Sequence, residues 1–349
     1  MSTPALDEID RRLLHALQIE PRGTWAEFAP VVGVDAATLA RRWARLSESG
    51  TAWVTGHSTR RQLAMLEVDC DLGRLGHVAE TLQRDPHVAT LDHVSGSRDL
   101  LALVHAPDLG RLSDYVVARL ARIPGIRAVR THLTVDLLVD AASWRLRALS
   151  PDEAARIRPP LPPRARARRD VPDDLRTALE DQLWQDGRMP ISVIAHRTGF
   201  APQRVADAIS TLRHRGELRF RTDVARAESG WPVYTWYFIE APAHVIEATR
   251  EAIVAVPEVR LAMTSASRYN LILAVWLRQF SDVNRFEIAL EKALQGARIA
   301  DRSVVLRISK QMGRIVGVDT RAIGLAGDIV NPTILDRPLS APDTAPDGD

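Results

Sequence analysis

The sequence predicts an α+β fold class, in which two winged, three-helix helix-turn-helix domains alternate with two ferredoxin-like (βαββαβ) domains. A repeat within the chain and the spacing of its apolar residues carry this prediction. The chain has 349 residues. That length is enough for two to four domains.

The repeat is clearest in two stretches that match without a gap. A shift of 166 positions pairs Arg22 with Arg188 and Gly50 with Gly216. The other paired positions are mainly apolar residues and glycines, which are the positions that packing and turns dictate. The downstream parts match more loosely, so the predicted order of domains is A–B–A′–B′.

Composition and the repeat together predict six segments. They are a helix-turn-helix domain at 1–58, a ferredoxin-like domain at 60–145, a Pro- and Arg-rich linker at 150–170, a second helix-turn-helix domain at 171–224, a second ferredoxin-like domain at 232–320 and a disordered tail at 330–349. The linker, with five prolines and six arginines, is expected to be a stiff, extended spacer. Its arginines either touch DNA phosphates or are simply solvated.

Capping signals and helical spacing define the first three-helix unit. Thr24 and Glu27 have the spacing of a capping box, which begins the second helix, and Gly33 ends that helix. The third helix buries a stripe that includes Leu39 and Leu46. Two helices joined by a tight glycine turn are the unit that reads DNA in helix-turn-helix proteins.

The outward face of each third helix carries the candidate DNA-binding residues. Small residues at the start of the helix permit close approach, and arginine donates paired hydrogen bonds to phosphate and guanine. The candidates are Ala36, Ala37, Thr38, Arg41, Arg42 and Arg45 in the first unit, and Gln203, Arg204 and Arg213 in the second. The alternative for the first unit is a merely solvated helix face. In the second unit Asp207 would repel phosphate, so a module kept only for packing is the alternative there.

No catalytic motif emerges from the chain. It has no glycine-rich phosphate loop of known spacing, no HExxH and no GxSxG, and its ten histidines are scattered. Cys70 is the only cysteine, which excludes an intrachain disulfide and a cysteine metal cluster. We therefore predict no catalytic residue, no metal, no cofactor and no enzyme activity.

Charge and hydropathy predict a cytoplasmic protein without membrane contact. The net charge is only +2, and the early residues are acidic rather than those of a secretory signal. The apolar run at 271–277 is far shorter than the ~20 residues that a membrane helix needs.

Three segments together resemble the Lrp/AsnC regulators. They are LDEIDRRLLHALQ, then WAEFAPVVGVDAATLARRWARLSESG, then a βαββαβ pattern with GSRD between its middle strands. The tandem order is similar to double-length members of that family. The resemblance implies a sequence-specific transcription regulator that binds double-stranded DNA and a small-molecule effector, an amino acid or a related metabolite. It also implies homo-oligomers that assemble through the sensor sheets.

The resemblance also suggests where the effector binds. The family has a Gly-x-x-Asp loop between its second and third strands, and the matching residues here are Ser95, Gly96, Arg98 and Asp99. In the second copy both the glycine and the acid are lost, and Ser267 and Asn270 are the remaining candidates. An effector ammonium would pair with Asp99. The alternative is that Gly96 is simply a turn glycine.

Two rival functions remain open from the sequence. Siroheme decarboxylases are similar in layout, sometimes as two fused halves, but would require a tetrapyrrole pocket lined by histidine and arginine, which the sequence does not reveal. The other rival is a sensor or protein-interaction module whose helix-turn-helix units only pack.

Overall fold

The computed structural model describes residues 6–164 and 170–325, so the predicted tail at 330–349 lies outside the described residues. The first half contains α1 (Glu8–Ile19), α2 (Trp25–Val32), α3 (Ala36–Glu48), β1 (Ala52–Ser58), β2 (Gln62–Cys70), α4 (Leu75–Arg84), β3 (Val88–Val94), β4 (Leu100–Ala106), α5 (Leu109–Asp114) and β5 (Ile126–Val139). After α6 (Pro151–Ala155), the second half contains α7 (Asp173–Gln185), α8 (Ile191–Thr198), α9 (Pro202–His214), β6 (Leu218–Val224), β7 (Val233–Glu240), α10 (Ala243–Ala255), β8 (Val259–Ser265), β9 (Leu271–Leu277), α11 (Asp282–Ala293), β10 (Arg298–Gln311), β11 (Arg314–Val316) and β12 (Ala322–Leu325). Among the described helices, none is both long enough and apolar enough to cross a membrane.

Eight strands form a closed antiparallel barrel in the order β10-β3-β4-β2-β5-β8-β9-β7, because β7 pairs back with β10. The joints between the halves are reciprocal. The fourth strand of each βαββαβ unit pairs with the second strand of the other, β5 with β8 and β10 with β3. The two units are therefore related by an approximate two-fold axis.

Alternation along the strands separates the inside of the barrel from its outer faces. On β2, Met65 packs inside with Trp236 and Phe238 of the second half, whereas Leu66 belongs to the core beneath α4 and α5. Successive side chains of a strand point to opposite faces, so β2 is buried on both of its faces. The interior is thus shared by both halves of the chain.

We call α1–α3 with β1 the first head, and α7–α9 with β6 the second head. The heads join through an antiparallel pair, β1 with β6, from Ala52 opposite Val224 to Ser58 opposite Leu218. Two further contacts are reciprocal and involve the arginines paired by the repeat. Arg22 donates to the carbonyls of Gly187 and Met189, and Arg188 donates to those of Pro21 and Gly23. The heads are consequently held as a pair with fixed spacing.

A buried carboxylate connects the second head to the barrel. Asp223 on β6 is fully buried and accepts hydrogen bonds from Arg221 at 2.9 Å, Arg260 on β8 at 2.7 Å and Gln311 on β10 at 2.6 Å. One carboxylate therefore balances two guanidinium groups at the junction of three strands.

The linker prediction is wrong for its first part. Instead of an extended spacer, the chain forms α6, whose Ser150 and Glu153 make a capping box. Glu153 also pairs with Arg12 of α1 at 2.7 Å, and Ile157 is buried in the core of the first head. The S-x-x-E spacing signals this helix start, and prolines dominate only the later part of the segment.

The next part of the linker lies across α9, and we call residues 161–164 the strap. Arg164 makes two hydrogen bonds to Asp207, at 2.9 and 2.7 Å, and Ser210 donates to the carbonyl of Leu161 at 3.0 Å. The strap thus covers part of the outward face of α9.

Stability of the first head is expected to fall in mild acid because of His15. The buried Nδ1 of His15 accepts a hydrogen bond from the Leu149 amide at 2.8 Å, and burial followed by the charges of Arg145 and Arg147 lowers the pKa of His15 to about 4. Below pH 6.5 the unfolded chain binds a proton that the folded head excludes, so stability present at neutral pH is lost as the pH falls toward 4.

From pH 7 to pH 5 this one site is expected to remove about 2 kcal/mol from the free energy of unfolding. His15→Gln keeps a hydrogen-bond acceptor but does not titrate. Urea denaturation at both pH values should therefore show a weaker pH dependence in the variant. An unchanged pH dependence would contradict the assignment to His15.

Candidate functional site

The helix-turn-helix of the first head is built by the residues that predicted it. Thr24 and Glu27 form the capping box of α2, and Gly33 ends that helix at a φ of 91°. This left-handed conformation favours glycine. Asp35 then accepts from the Thr38 amide at 2.9 Å and begins α3, which buries Leu39. The turn therefore fixes the angle between α2 and α3.

The start of α3 is an exposed surface of small side chains. Ala37 and Arg41 are exposed, and Ala36 and Thr38 are partly so. The Arg41 guanidinium donates to the Thr38 hydroxyl at 3.1 Å and has no ion-pair partner among those found in the described residues. These four predicted residues lie together at one end of the helix, where a backbone or a base edge can approach closely.

Arg42 and Arg45, predicted to bind DNA, have another role in the structure. Both guanidinium groups bind the carboxylate of Asp10 on α1, at 2.8 and 2.5 Å, and Arg42 also pairs with Asp7 at 2.6 Å. Hydrogen bonds to Asp7 and Asp10 raise the pKa of Arg42. The Asp10 side chain is only 2% exposed, so the two arginines attach α3 to α1.

The second head places its three predicted residues in two different surroundings. Gln203 and Arg204 are exposed at the start of α9. Arg213 instead pairs with Glu20 of the first head at 2.7 Å and lies 5.1 Å from the centre of the Phe220 ring. Its prediction as a residue facing DNA is corrected accordingly, because helical spacing alone cannot distinguish an outward face from a contact between domains.

The loop predicted to bind an effector lies at the seam between the two halves of the barrel. Ser95 exchanges hydrogen bonds with the backbone of Val304 on β10, through its amide at 2.9 Å and its hydroxyl at 3.0 Å. Gly96 has a φ of 100°, and a Cβ there would lie 3.3 Å from the Arg302 carbonyl. Asp99 accepts from the Cys70 amide at 2.7 Å. The carboxylate therefore stabilises the loop itself.

Arg98 of the same loop points into the barrel. Its side chain is 1% exposed, pairs with Glu67 at 3.1 Å and Asp301 at 2.5 Å, and lies 4.0 Å from the centre of the Phe238 ring. Since Asp301 and Phe238 belong to the second half, Arg98 connects the halves. Nothing in the local sequence pattern indicated this burial.

The corresponding loop of the second half also makes hydrogen bonds to other parts of the protein. Ser267 bonds the ring of His132 at 2.7 Å, and the other ring nitrogen of His132 bonds Glu67 at 2.8 Å. Asn270 bonds the amide and the carbonyl of Ala241. The role of these residues in effector binding stays a prediction. In residues 6–164 and 170–325 no group of three or more histidine, cysteine or acidic side chains is arranged to hold a metal ion.

Two family models match the first half of the chain. An AsnC-type helix-turn-helix domain matches residues 6–47, and an Lrp/AsnC ligand binding domain matches residues 63–143. The first covers α1–α3, and the second covers the strands β2–β5 with their helices. An N-terminal helix-turn-helix followed by a ferredoxin-like ligand-binding domain is thus confirmed.

The fold of nearly the whole chain is similar to that of a known enzyme. The crystal structure of the siroheme decarboxylase NirDL matches with a TM-score of 0.55 and 16% identity, covering 87% of this chain and 93% of that one. Its complex with an iron-uroporphyrin III analogue matches with a TM-score of 0.56. The prediction that the chain is not an enzyme is therefore wrong as it stands, because this fold accommodates catalysis.

The curated relatives are regulators. The leucine-responsive regulatory protein of Rhizobium meliloti is 31% identical over 147 residues, which cover 39% of this chain and 93% of that protein. An HTH-type transcriptional regulator of Pyrococcus horikoshii is 29% identical over 134 residues, covering 37% of this chain and 85% of that protein. By its matching domains and this degree of identity, the chain belongs to the Lrp/AsnC family of transcription regulators.

Proposed function

We propose that the chain is a sequence-specific DNA-binding transcription regulator whose first head reads the DNA. The observation that carries this proposal is the exposed start of α3, where Ala37 and Arg41 stand on the helix-turn-helix that the family model matches. In helix-turn-helix proteins this end of the second helix enters the major groove.

The second head contributes less to binding. The shift of 166 positions that aligns the heads places Asp207 where the first head has Arg41. In place of an available cation this face has a carboxylate that pairs with Arg164 of the strap, and the strap covers the same face. The head retains Gln203 and Arg204 as exposed groups at the start of α9. An operator with two unlike half-sites, dominated by the first head, follows from this difference.

The tandem arrangement makes one chain equivalent to a dimer of single-length family members. The pairing of β1 with β6 and the reciprocal contacts of Arg22 and Arg188 support this view. A pair of heads with fixed spacing suits half-sites about one helical turn apart. A small-molecule effector then changes the DNA affinity by favouring one arrangement of heads and barrel. The chain also assembles further into homo-oligomers, as members of the family do.

Selection of fragments from the source genome by the purified full-length protein tests the proposal. The wild type is expected to retain a small set of fragments, and Ala37→Glu is expected to lose them. Uniform retention of all fragments, or equal retention by the variant, would contradict sequence-specific reading by α3.

Weakening the strap is expected to strengthen DNA binding modestly. Asp207→Asn removes the ion pair that holds Arg164 of the strap on α9, which frees the Arg164 guanidinium to approach DNA phosphate. An exposed ion pair contributes no more than about 1 kcal/mol, so the affinity should rise by up to about fivefold. Fluorescence anisotropy with a selected fragment measures the change.

The control for this experiment is Asp173→Asn, which alters the net charge equally at an exposed position on α7. If both variants bind DNA equally well, the effect comes from net charge, and the strap does not restrict α9.

A second candidate function is catalysis on a tetrapyrrole, favoured by the likeness of nearly the whole fold to siroheme decarboxylase. Anaerobic incubation with siroheme, followed by mass spectrometry of the pigment, tests it. Loss of carboxyl groups with the wild type but not with heat-denatured protein would establish the enzyme. Unchanged siroheme would exclude this reaction.

A further inference from the structure

A cavity of about 370 Å³ lies between the heads and the barrel. One wall is the sheet of β1 and β6, which contributes His57, Ser58, Arg219 and Arg221. The other walls come from the link between β1 and β2, strands β2 to β5, strand β8 and the residues that follow β5 and β10. Pockets that hold small molecules measure about 300–1,000 Å³. The cavity is at the lower end of that range, which suits a compact ligand with a single ring better than a macrocycle.

One side of the cavity offers hydrogen-bond donors. The Nδ1 atom of His57 is buried and has no hydrogen-bond partner in the described residues. Burial, followed by the neighbouring His57 and Arg61, lowers the pKa of His105 to about 3, so His105 is neutral at pH 7. A buried polar atom without a partner is costly. A ligand oxygen is one way to satisfy the His57 imidazole.

The charges around the cavity leave a net positive potential. Arg219 pairs with Asp140 at 2.7 Å, and Asp136 pairs outward with Arg250 at 2.8 Å. Arg221, by contrast, shares the single carboxylate of Asp223 with a second arginine. The surplus cation near this wall favours an anion over a neutral ligand.

The surplus of positive charge also affects Arg260, the second arginine that binds Asp223. Burial and then the charge of Arg221 lower the pKa of Arg260 to about 10. An additional negative charge nearby would relieve this repulsion.

Part of the remaining lining is apolar. It consists of Leu63, Leu103, Leu137, Leu261 and Met312. A ligand that fills this part gains from burial of apolar surface, at roughly 25 cal/mol per Å². The cavity therefore combines an anion-compatible wall with an apolar one.

We propose that this cavity binds a compact carboxylate with one apolar ring or branched chain, its anionic group facing His57 and Arg221. The site lies apart from the loop of Gly96 and Asp99. Because its walls belong to both the heads and the barrel, an occupant changes the free energy of their relative arrangement. The consequence for DNA affinity rests on the proposed regulatory function, whereas binding itself does not.

Isothermal titration of the full-length protein with 3-phenylpropionate, and with its neutral amide as the matched probe, tests the site. The acid is expected to bind at least tenfold more tightly than the amide. His57→Phe, which keeps a ring, and Arg221→Gln, which removes the surplus cation and leaves Asp223 paired with Arg260, should each weaken binding of the acid at least tenfold. Arg285→Gln, an exposed arginine on α11 outside the cavity, should bind like the wild type.

Circular dichroism and thermal melting confirm that each variant folds, and the two cavity variants are independent of each other. Failure of the acid to bind, equal binding of acid and amide, or binding unaffected by both cavity variants would overturn the proposal. Anisotropy with a selected DNA fragment, with and without the acid, separates the two claims. Binding of the acid without binding of DNA would refute the proposed regulatory function but not the ligand site. Binding of DNA without binding of the acid would refute only the ligand site.

Discussion

Asp223→Asn is expected to lower the free energy of unfolding by about 3–5 kcal/mol. The substitution keeps the shape of the side chain but removes the carboxylate with which the buried Arg221 and Arg260 both pair. Two uncompensated guanidinium groups then remain at the junction of β6, β8 and β10. A buried charge that loses its partner cannot regain the solvation it gave up on folding.

Urea denaturation monitored by tryptophan fluorescence measures this loss. The matched control is Asp152→Asn on α6, an exposed acid for which a change within about 0.5 kcal/mol is expected. Equal stability of the two variants would show that Asp223 does not hold the second head to the barrel.

Ala37→Glu is expected to weaken binding to a selected fragment by at least tenfold. The new carboxylate stands at the exposed start of α3, where it repels phosphate. The same position favours a negative charge in the folded helix, so the head stays stable. Arg41→Ala at the next turn of the helix removes a phosphate contact and should weaken binding to all selected fragments about equally.

The second head supplies the matched control for this experiment. The shift of 166 positions aligns Ala37 of α3 with Gln203, which lies at the start of α9. Gln203→Glu adds the same charge at the equivalent place and is expected to have the smaller effect, because Asp207 and the strap already disfavour DNA there. Equal losses in both variants would show that the heads read DNA equally.

Local patterns in the sequence predicted the helices and strands, because capping residues and apolar spacing act within a few positions. Thr24 and Gly33, for example, bound α2 in the structure as predicted. These local patterns did not predict the closed barrel. The pair of β10 with β3 joins strands more than two hundred residues apart, and strand alternation carries no information about which partner a strand chooses.

The candidate site was predicted only in part, for a similar reason. Helical spacing put Arg41, Arg42 and Arg45 on one face, but only the partner side chains decide which of them is available. One signal for this was present. Asp10 lies on the apolar stripe of α1 with Leu13, and an acid at such a position needs a cation from a neighbouring element.

The dissociation constant of a selected fragment, measured across a range of salt concentrations, tests most directly that this chain reads DNA. Phosphate contacts release counterions, so the logarithm of the affinity should fall linearly with the logarithm of the salt concentration, with a slope of about −0.9 per contact. We expect the first head to make several phosphate contacts. Arg41→Ala should remove one of them, so the slope should become less steep by roughly one. A flat salt dependence, or one that Arg41→Ala leaves unchanged, would contradict DNA binding through α3.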